Sequence, residues 1–177
     1  MRLFLAINLP EKVKRSLDLQ IADIKREYRA FNWIPSENYH ITLHFFGDVA
    51  PAARIAHILE ELLYDMKSFY LYSHICDLFM NHKITLYVGF RRDRNLEIAV
   101  HTIKDYFNSK DTNKFVPHLT IARYKIPSKQ QYLLLKKKLH AVPVELEFAV
   151  KKLTLFETIA TTKKPTYTRV AEFTLVQ

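Results

Sequence analysis

The feature that most narrows the fold of this 177-residue chain is an order of predicted elements that runs twice. In the first pass RLFLAI (2–7) is a short apolar run closed by Pro10, and Val13, Leu17, Ile21, Ile24 and Tyr28 then recur at helical spacing. A connector from Asn32 to Asn38 leads to YHITLHFF (39–46), which alternates as a strand does until Gly47. A helix striped by Ile55, Ile58, Leu59, Leu62 and Met66 starts near Pro51, and aromatic and β-branched residues in 69–79 predict another strand. The second pass reads KITLYVGF (83–90) as strand, Leu96, Val100, Ile103 and Phe107 as a helical stripe, and PHLTIARY (117–124) as strand. Ser128 with Gln131 is a capping box for a helix carrying Leu135 and Leu139, and VELEFAVKKLTLF (144–156) reads as one long strand.

Corresponding starts fall at 2 and 83, 40 and 118, 51 and 128, 69 and 144, so the offset stays between 75 and 81. The expectation is a single bilobal α+β domain over 1–177, an internal duplication of roughly 2–79 and 83–156 followed by a final strand at 166–176. Each lobe should hold an antiparallel or mixed sheet with helices, the two lobes related by a pseudo-two-fold axis.

Composition removes many function classes. Gly47 and Gly89 are the only glycines, so neither a dinucleotide fingerprint nor a P-loop can be written. A lone Cys76 excludes an internal disulfide and paired-cysteine zinc ligation. No apolar run approaches the ~20 residues that span a bilayer and the N-terminus is too weakly apolar for a secretory signal, so a cytoplasmic protein without membrane contact, and a monomer, is expected. Charge is lopsided: residues 1–109 hold 14 basic and 13 acidic residues (+1), whereas 110–177 hold 13 and 5 (+8). Such a field favours a polyanion such as RNA or DNA, although Lys136, Lys137 and Lys138 equally suit a solvated helix face.

The duplication carries one motif at equivalent places: His40-Ile41-Thr42-Leu43 and His118-Leu119-Thr120-Ile121. Residues i and i+2 of a strand share a face, so each His lies beside its Thr while the aliphatic residues pack behind. A pseudo-two-fold axis then brings two imidazoles and two hydroxyls to a shared cleft. Two histidines can act as general acid and general base together, which is what transfer at phosphorus needs in the absence of a metal, and the threonine hydroxyls can hold phosphate oxygens. His44, two positions past Thr42, is open to lining the cleft or to a structural role. A metal site of His40 and His44 is disfavoured, because i and i+4 lie roughly 13 Å apart along a strand.

RLFLAINLP, WIPSENYHITLHFFGDV, FVPHLTIARYK, LTLFET and YTRVAEFTL together resemble the 2H phosphoesterase superfamily, and within it the RNA 2',3'-cyclic phosphodiesterases, also described as LigT-like 2'-5' RNA ligases. The resemblance implies a bilobal fold with a basic central cleft, no metal or other cofactor, and hydrolysis of an RNA 2',3'-cyclic phosphate end to a 2'-phosphomonoester, with 2'-5' joining of RNA ends in reverse. By motif position it implies His40 as proton donor to the departing 3'-oxygen, His118 as proton acceptor from water, and Thr42, Thr120 and Arg123 as phosphate ligands. Arg123 has the wrong parity: counted by twos from His118 it falls on the opposite face, so the strand must end, twist or bulge before it. His44 stands where many relatives carry Arg or Lys, and the closing region around 157–166 departs from the family pattern. Trp33, Phe46 and Tyr124 flank the motifs and suit either base stacking or core packing.

Two other readings stay open. One is a cyclic phosphodiesterase of a small nucleotide, such as a cyclic mononucleotide, in the same fold. The other is a non-catalytic RNA-binding module that keeps the cleft as a phosphate receptor.

Overall fold

The computed structural model describes residues 2–47, 51–80, 82–111, 113–125, 127–159 and 165–177. Residues 160–164, within the closing region that departs from the family pattern, lie outside that set. In chain order the elements are β1 (Arg2–Asn8), α1 (Glu11–Gln20), α2 (Ala22–Glu27), β2 (Asn32–Trp33), a 3-10 turn (Ser36–Asn38), β3 (His40–Gly47), α3 (Ala52–Leu62), β4 (Phe69–Met80), β5 (Ile84–Phe90), α4 (Arg94–Tyr106), β6 (His118–Tyr124), α5 (Lys129–His140), β7 (Glu147–Val150), β8 (Lys152–Ile159) and β9 (Thr166–Thr174).

Local chemistry accounts for most boundaries. Asp93 caps α4 by accepting the Leu96 N–H at 2.9 Å, and Ser128 and Gln131 form the expected reciprocal box at the start of α5. Gly47 closes β3 at φ +74°, a conformation that glycine adopts without steric cost. Two expected elements are divided. The helix read over 13–28 breaks at Ile21, and the strand read over 144–156 breaks at Lys151. The second break has a topological cause: β7 pairs with β4 while β8 pairs with β1, so the chain crosses from one half of the sheet to the other. The connector after Tyr28 also holds a short strand, β2, laid against β6.

The strands form one sheet in the order β7-β4-β5-β6-β3-β1-β8-β9, with every ladder antiparallel. Its two four-stranded halves are the lobes, and the pair Ile41↔Leu119 joins them at the centre. Each lobe draws on both passes of the sequence, since β4 pairs with β5 and β8 with β1. The helices follow suit: α5 packs on β4, whereas α4, which leaves β5, packs on β3. Ile41, Leu43, Leu86, Val88, Leu119 and Ile121 supply the backs of the central strands and are buried. No helix among the described residues is long and apolar enough to cross a membrane.

Candidate active site

At the seam β3 and β6 run antiparallel with Ile41 opposite Leu119, which sets His40 across from Thr120 and Thr42 across from His118. All four are half-buried, and each alternates with a fully covered aliphatic neighbour. The two motifs therefore meet head to tail on one face, as the duplicated alternation requires.

Each imidazole is held in the same way. His40 Nδ1 lies 2.7 Å from the Asn38 carbonyl and His118 Nδ1 lies 2.8 Å from the Val116 carbonyl. A carbonyl only accepts, so both Nδ1 atoms carry hydrogen and both Nε2 atoms are left to take or give a proton. The mounts differ. Tyr39, fully buried, donates its hydroxyl to Asp18 Oδ1 at 2.8 Å, and Lys25 bonds both Asp18 and the Tyr39 hydroxyl. Pro117 is the corresponding residue before His118, and its carbonyl accepts the Phe90 N–H at 3.0 Å.

The surroundings of the two rings differ as well. Phe4 and Tyr167 stand 5.0 and 5.2 Å from His40, with Phe156 at 6.4 Å. Burial among them, reinforced by the positive charges of Arg123 and Lys14, lowers the His40 pKa to about 4 against the pull of the Asn38 carbonyl. His118 meets Tyr87 at 5.7 Å and Phe79 at 5.8 Å, both edge-on.

A β-bulge resolves the parity of Arg123. Leu86 pairs with Ala122 and Tyr87 with Thr120, leaving Ile121 as an extra residue, so Ile121 and Ala122 are buried in succession and Arg123 emerges on the face of His118 and Thr120. β3 bulges at the same place: Leu43 is extra between the pairs Leu5↔His44 and Ala6↔Thr42. There the bulge turns His44 inward, 8% exposed and edge-on to Phe46 at 4.7 Å, and brings Phe45 out at 69% exposed. Burial, with Lys104 nearby, lowers the His44 pKa.

A cleft of about 820 Å³ opens over this face, bordered by Thr42, Phe45, Tyr87, His118, Thr120 and Arg123; Lys83 and Lys114, with Lys104 paired to Asp111 at 2.8 Å, give it a basic rim. His44 also borders it. His40 forms the wall toward a smaller hollow of about 230 Å³ beside Lys14 and Tyr167. Of the flanking aromatics, Trp33 donates its indole N–H to the Tyr28 carbonyl at 2.9 Å, Tyr124 stacks on Phe31 at 4.4 Å, and Phe46 packs edge-on to Phe107 at 4.9 Å. None of the three borders the cleft. Phe45, Tyr87, Phe79 and Tyr167 were not picked out as site residues from the sequence. For Phe45 a signal existed, since it holds the same place after the first motif that Arg123 holds after the second. Among the described residues no three His, Cys, Asp or Glu side chains gather as a metal-ligand group.

Comparison with known proteins bears on the family and the fold. The profile of the 2'-5' RNA ligase superfamily matches residues 13–162. A protein of Aquifex aeolicus named RNA 2',3'-cyclic phosphodiesterase is 29% identical over 175 residues, covering 93% of this chain and 88% of the relative. Among solved structures, TT0787 of Thermus thermophilus aligns with a TM-score of 0.76 at 23% identity over 98% of this chain and 97% of its own. E. coli LigT complexed with 3'-AMP aligns with a TM-score of 0.74 at 22% identity over 99% and 98%.

Proposed function

The chain belongs to the 2'-5' RNA ligase superfamily, and from that premise we propose that it hydrolyses RNA 2',3'-cyclic phosphate ends to 2'-phosphomonoesters by two-histidine acid–base catalysis. The observation that carries the reading is the matched pair of imidazoles, each with Nδ1 fixed by a backbone carbonyl and Nε2 free for proton transfer. The Aquifex relative's name gives the substrate class, and the basic rim of Lys83, Lys104 and Lys114 suits a polyanion.

In the proposed reaction Thr42, Thr120 and Arg123 hold the non-bridging oxygens of the cyclic phosphate. His118 Nε2 takes a proton from water as the water oxygen bonds phosphorus. His40 Nε2 gives a proton to the 3'-oxygen as the P–O3' bond breaks, leaving the phosphate on O2'. A phosphate anion in the cleft offsets the charges of Arg123 and Lys14, and so restores to His40 the proton affinity that those charges withhold. The protein groups carry every step, and with the 5'-hydroxyl of a second RNA in place of water the O5'–P bond forms as P–O3' breaks, which leaves a 2'-5' linkage.

A short RNA ending in 2',3'-cyclic phosphate, incubated with EDTA and followed by phosphorus NMR, tests this. Wild type should yield the 2'-phosphate, and His40→Ala and His118→Ala should each lose about 10²–10⁴-fold in rate. A second reading, hydrolysis of a small cyclic nucleotide, takes support from the cleft volume and from LigT's complex with 3'-AMP. Turnover confined to cyclic mononucleotides would select it, and binding without turnover of either would select a non-catalytic RNA-binding module.

A further inference from the structure

The sheet face that carries His118 extends well past the cleft. On β5, Leu86, Val88 and Phe90 are buried, so Tyr87, Gly89 and, beyond the strand, Arg91 take the cleft side; Tyr87 pairs with Thr120 and Gly89 with His118. On β4, Leu71 is 1% exposed and faces the core, which sends Tyr70 and Tyr72 to that same cleft side. The bulge between Ser73 and Ile75 keeps the face continuous, since Ser73 pairs with buried Phe90 and Ile75 with Gly89. Gly89 leaves room for its neighbours: a Cβ there would meet Ile75 Cγ2 at 2.9 Å and His74 Cε1 at 3.2 Å. The face thus runs from His118, across Gly89 and the His74 ring, to Tyr72 and Tyr70.

Tyr70 and Tyr72 are 57% and 40% exposed, and their rings are nearly parallel, at 25°, with centroids 6.4 Å apart. That separation is close to the ~6.6 Å rise between residues i and i+2 of a strand, so the two exposed rings stand in a row along β4. Arg91 is exposed and adjoins Tyr72, whose carbonyl accepts its N–H at 2.8 Å. Glu147, across from Tyr72 on the outer strand, is exposed and repels phosphate from the far side. Tyr72 lies two strands over and about two residues along from His118, roughly 12 Å at ordinary sheet spacings.

We propose that the Tyr70–Tyr72 pair is a binding site for a base of the single-stranded RNA leading 5' from the reacting end, with Arg91 against its phosphate. The site rests on the reading of function given above. It makes this lobe a stacking platform continuous with the catalytic face, on which base identity matters little because every base has a flat face to offer. The distance from His118 suits the nucleotide next to the terminal one, or the one beyond it. Specificity for RNA over a free cyclic mononucleotide then comes from the sheet, and the cleft itself handles only the terminal nucleotide.

The test compares a hexanucleotide ending in 2',3'-cyclic phosphate with a 2',3'-cyclic mononucleotide. The double variant Tyr70→Ala, Tyr72→Ala should raise KM for the hexanucleotide about tenfold and move neither kcat nor KM for the mononucleotide by more than about twofold. Tyr72→Trp should keep the wild-type KM, because stacking needs the ring and not the hydroxyl. Arg91→Ala should raise KM for the hexanucleotide less and weaken its salt dependence. An unchanged hexanucleotide KM in the double variant, or an equal loss on both substrates, overturns the proposal. Should wild type turn over neither substrate, the functional reading fails by itself, and fluorescence anisotropy of the labelled hexanucleotide still reads the site: binding weakened about tenfold in the double variant supports it, and unchanged binding overturns it.

Discussion

Phe45 and Arg123 stand at equivalent positions, each five residues past its histidine and each brought to the cleft face by a one-residue bulge in its strand. The near-symmetry of the two motifs ends there, with an exposed phenyl ring on one side and a guanidinium on the other. Of these two equivalent positions, the one on β6 alone brings a positive charge to the cleft face.

Arg123→Ala should lower kcat/KM on a 2',3'-cyclic phosphate by about 10²–10³-fold, the usual cost of losing a donor aimed at developing charge. Arg123→Lys should recover part of that and no more, since a lysine offers a point charge where the guanidinium offers a fork. Steady-state kinetics of the two variants check both statements, and a lysine variant equal to wild type would reduce Arg123 to a source of field.

The environment of His40 makes stability depend on pH. Its pKa is held near 4, below the ordinary 6.5, so folding favours the neutral ring. That contribution is complete above pH 6.5 and is lost as pH falls through 4, where the folded protein must accept a proton it disfavours. The full effect is about 3 kcal/mol at the low end. Urea unfolding of wild type and His40→Gln across this range should show wild type losing stability faster on acidification.

Tyr39 anchors the end of the strand that carries His40. Its hydroxyl ties the start of β3 to Asp18 of α1 and Lys25 of α2, and the 3-10 turn whose Asn38 carbonyl holds Nδ1 immediately precedes it. Tyr39→Phe should cost about 1–3 kcal/mol in urea unfolding, because it strips a buried partner from Asp18. It should also lower kcat several-fold at constant KM, the pattern expected when a reacting imidazole is less well aimed and the phosphate ligands are intact. A rise in KM alone would place the defect elsewhere.

How far the sequence could be read follows from these same residues. Alternation placed His40 with Thr42, and His118 with Thr120, on a shared face because the members of each pair lie two positions apart within a regular stretch. It failed three residues later, since Leu43-His44 and Ile121-Ala122 carry no local mark of a bulge; only the partner strands reveal the extra residue. The strand over 144–156 looked continuous because both of its parts are apolar, and alternation does not say which partner each part will find. The Tyr39–Asp18–Lys25 network was equally hidden, being an assembly of side chains up to 21 positions apart. Charge was legible in total but not in place: Lys83 and Lys104 on the cleft rim come from the nearly neutral part of the chain.

Ile41 and Leu119 give the last prediction, since they form the pair that joins the two lobes and neither is exposed. Leu119→Ala should destabilise the protein by about 2–5 kcal/mol, as truncations of buried leucine do. The cavity would open directly beneath the two histidines, so the rate should fall further than stability explains. Leu139→Ala, in the equally buried core face of α5, supplies the comparison. With both variants assayed at a temperature where each is folded, Leu119→Ala should show a reduced kcat and Leu139→Ala a kcat near wild type. Equal kcat values would mean that the pseudo-two-fold placement of His40 and His118 survives a void at the seam, and that the flanking ladders β1–β3 and β5–β6 are enough to hold it.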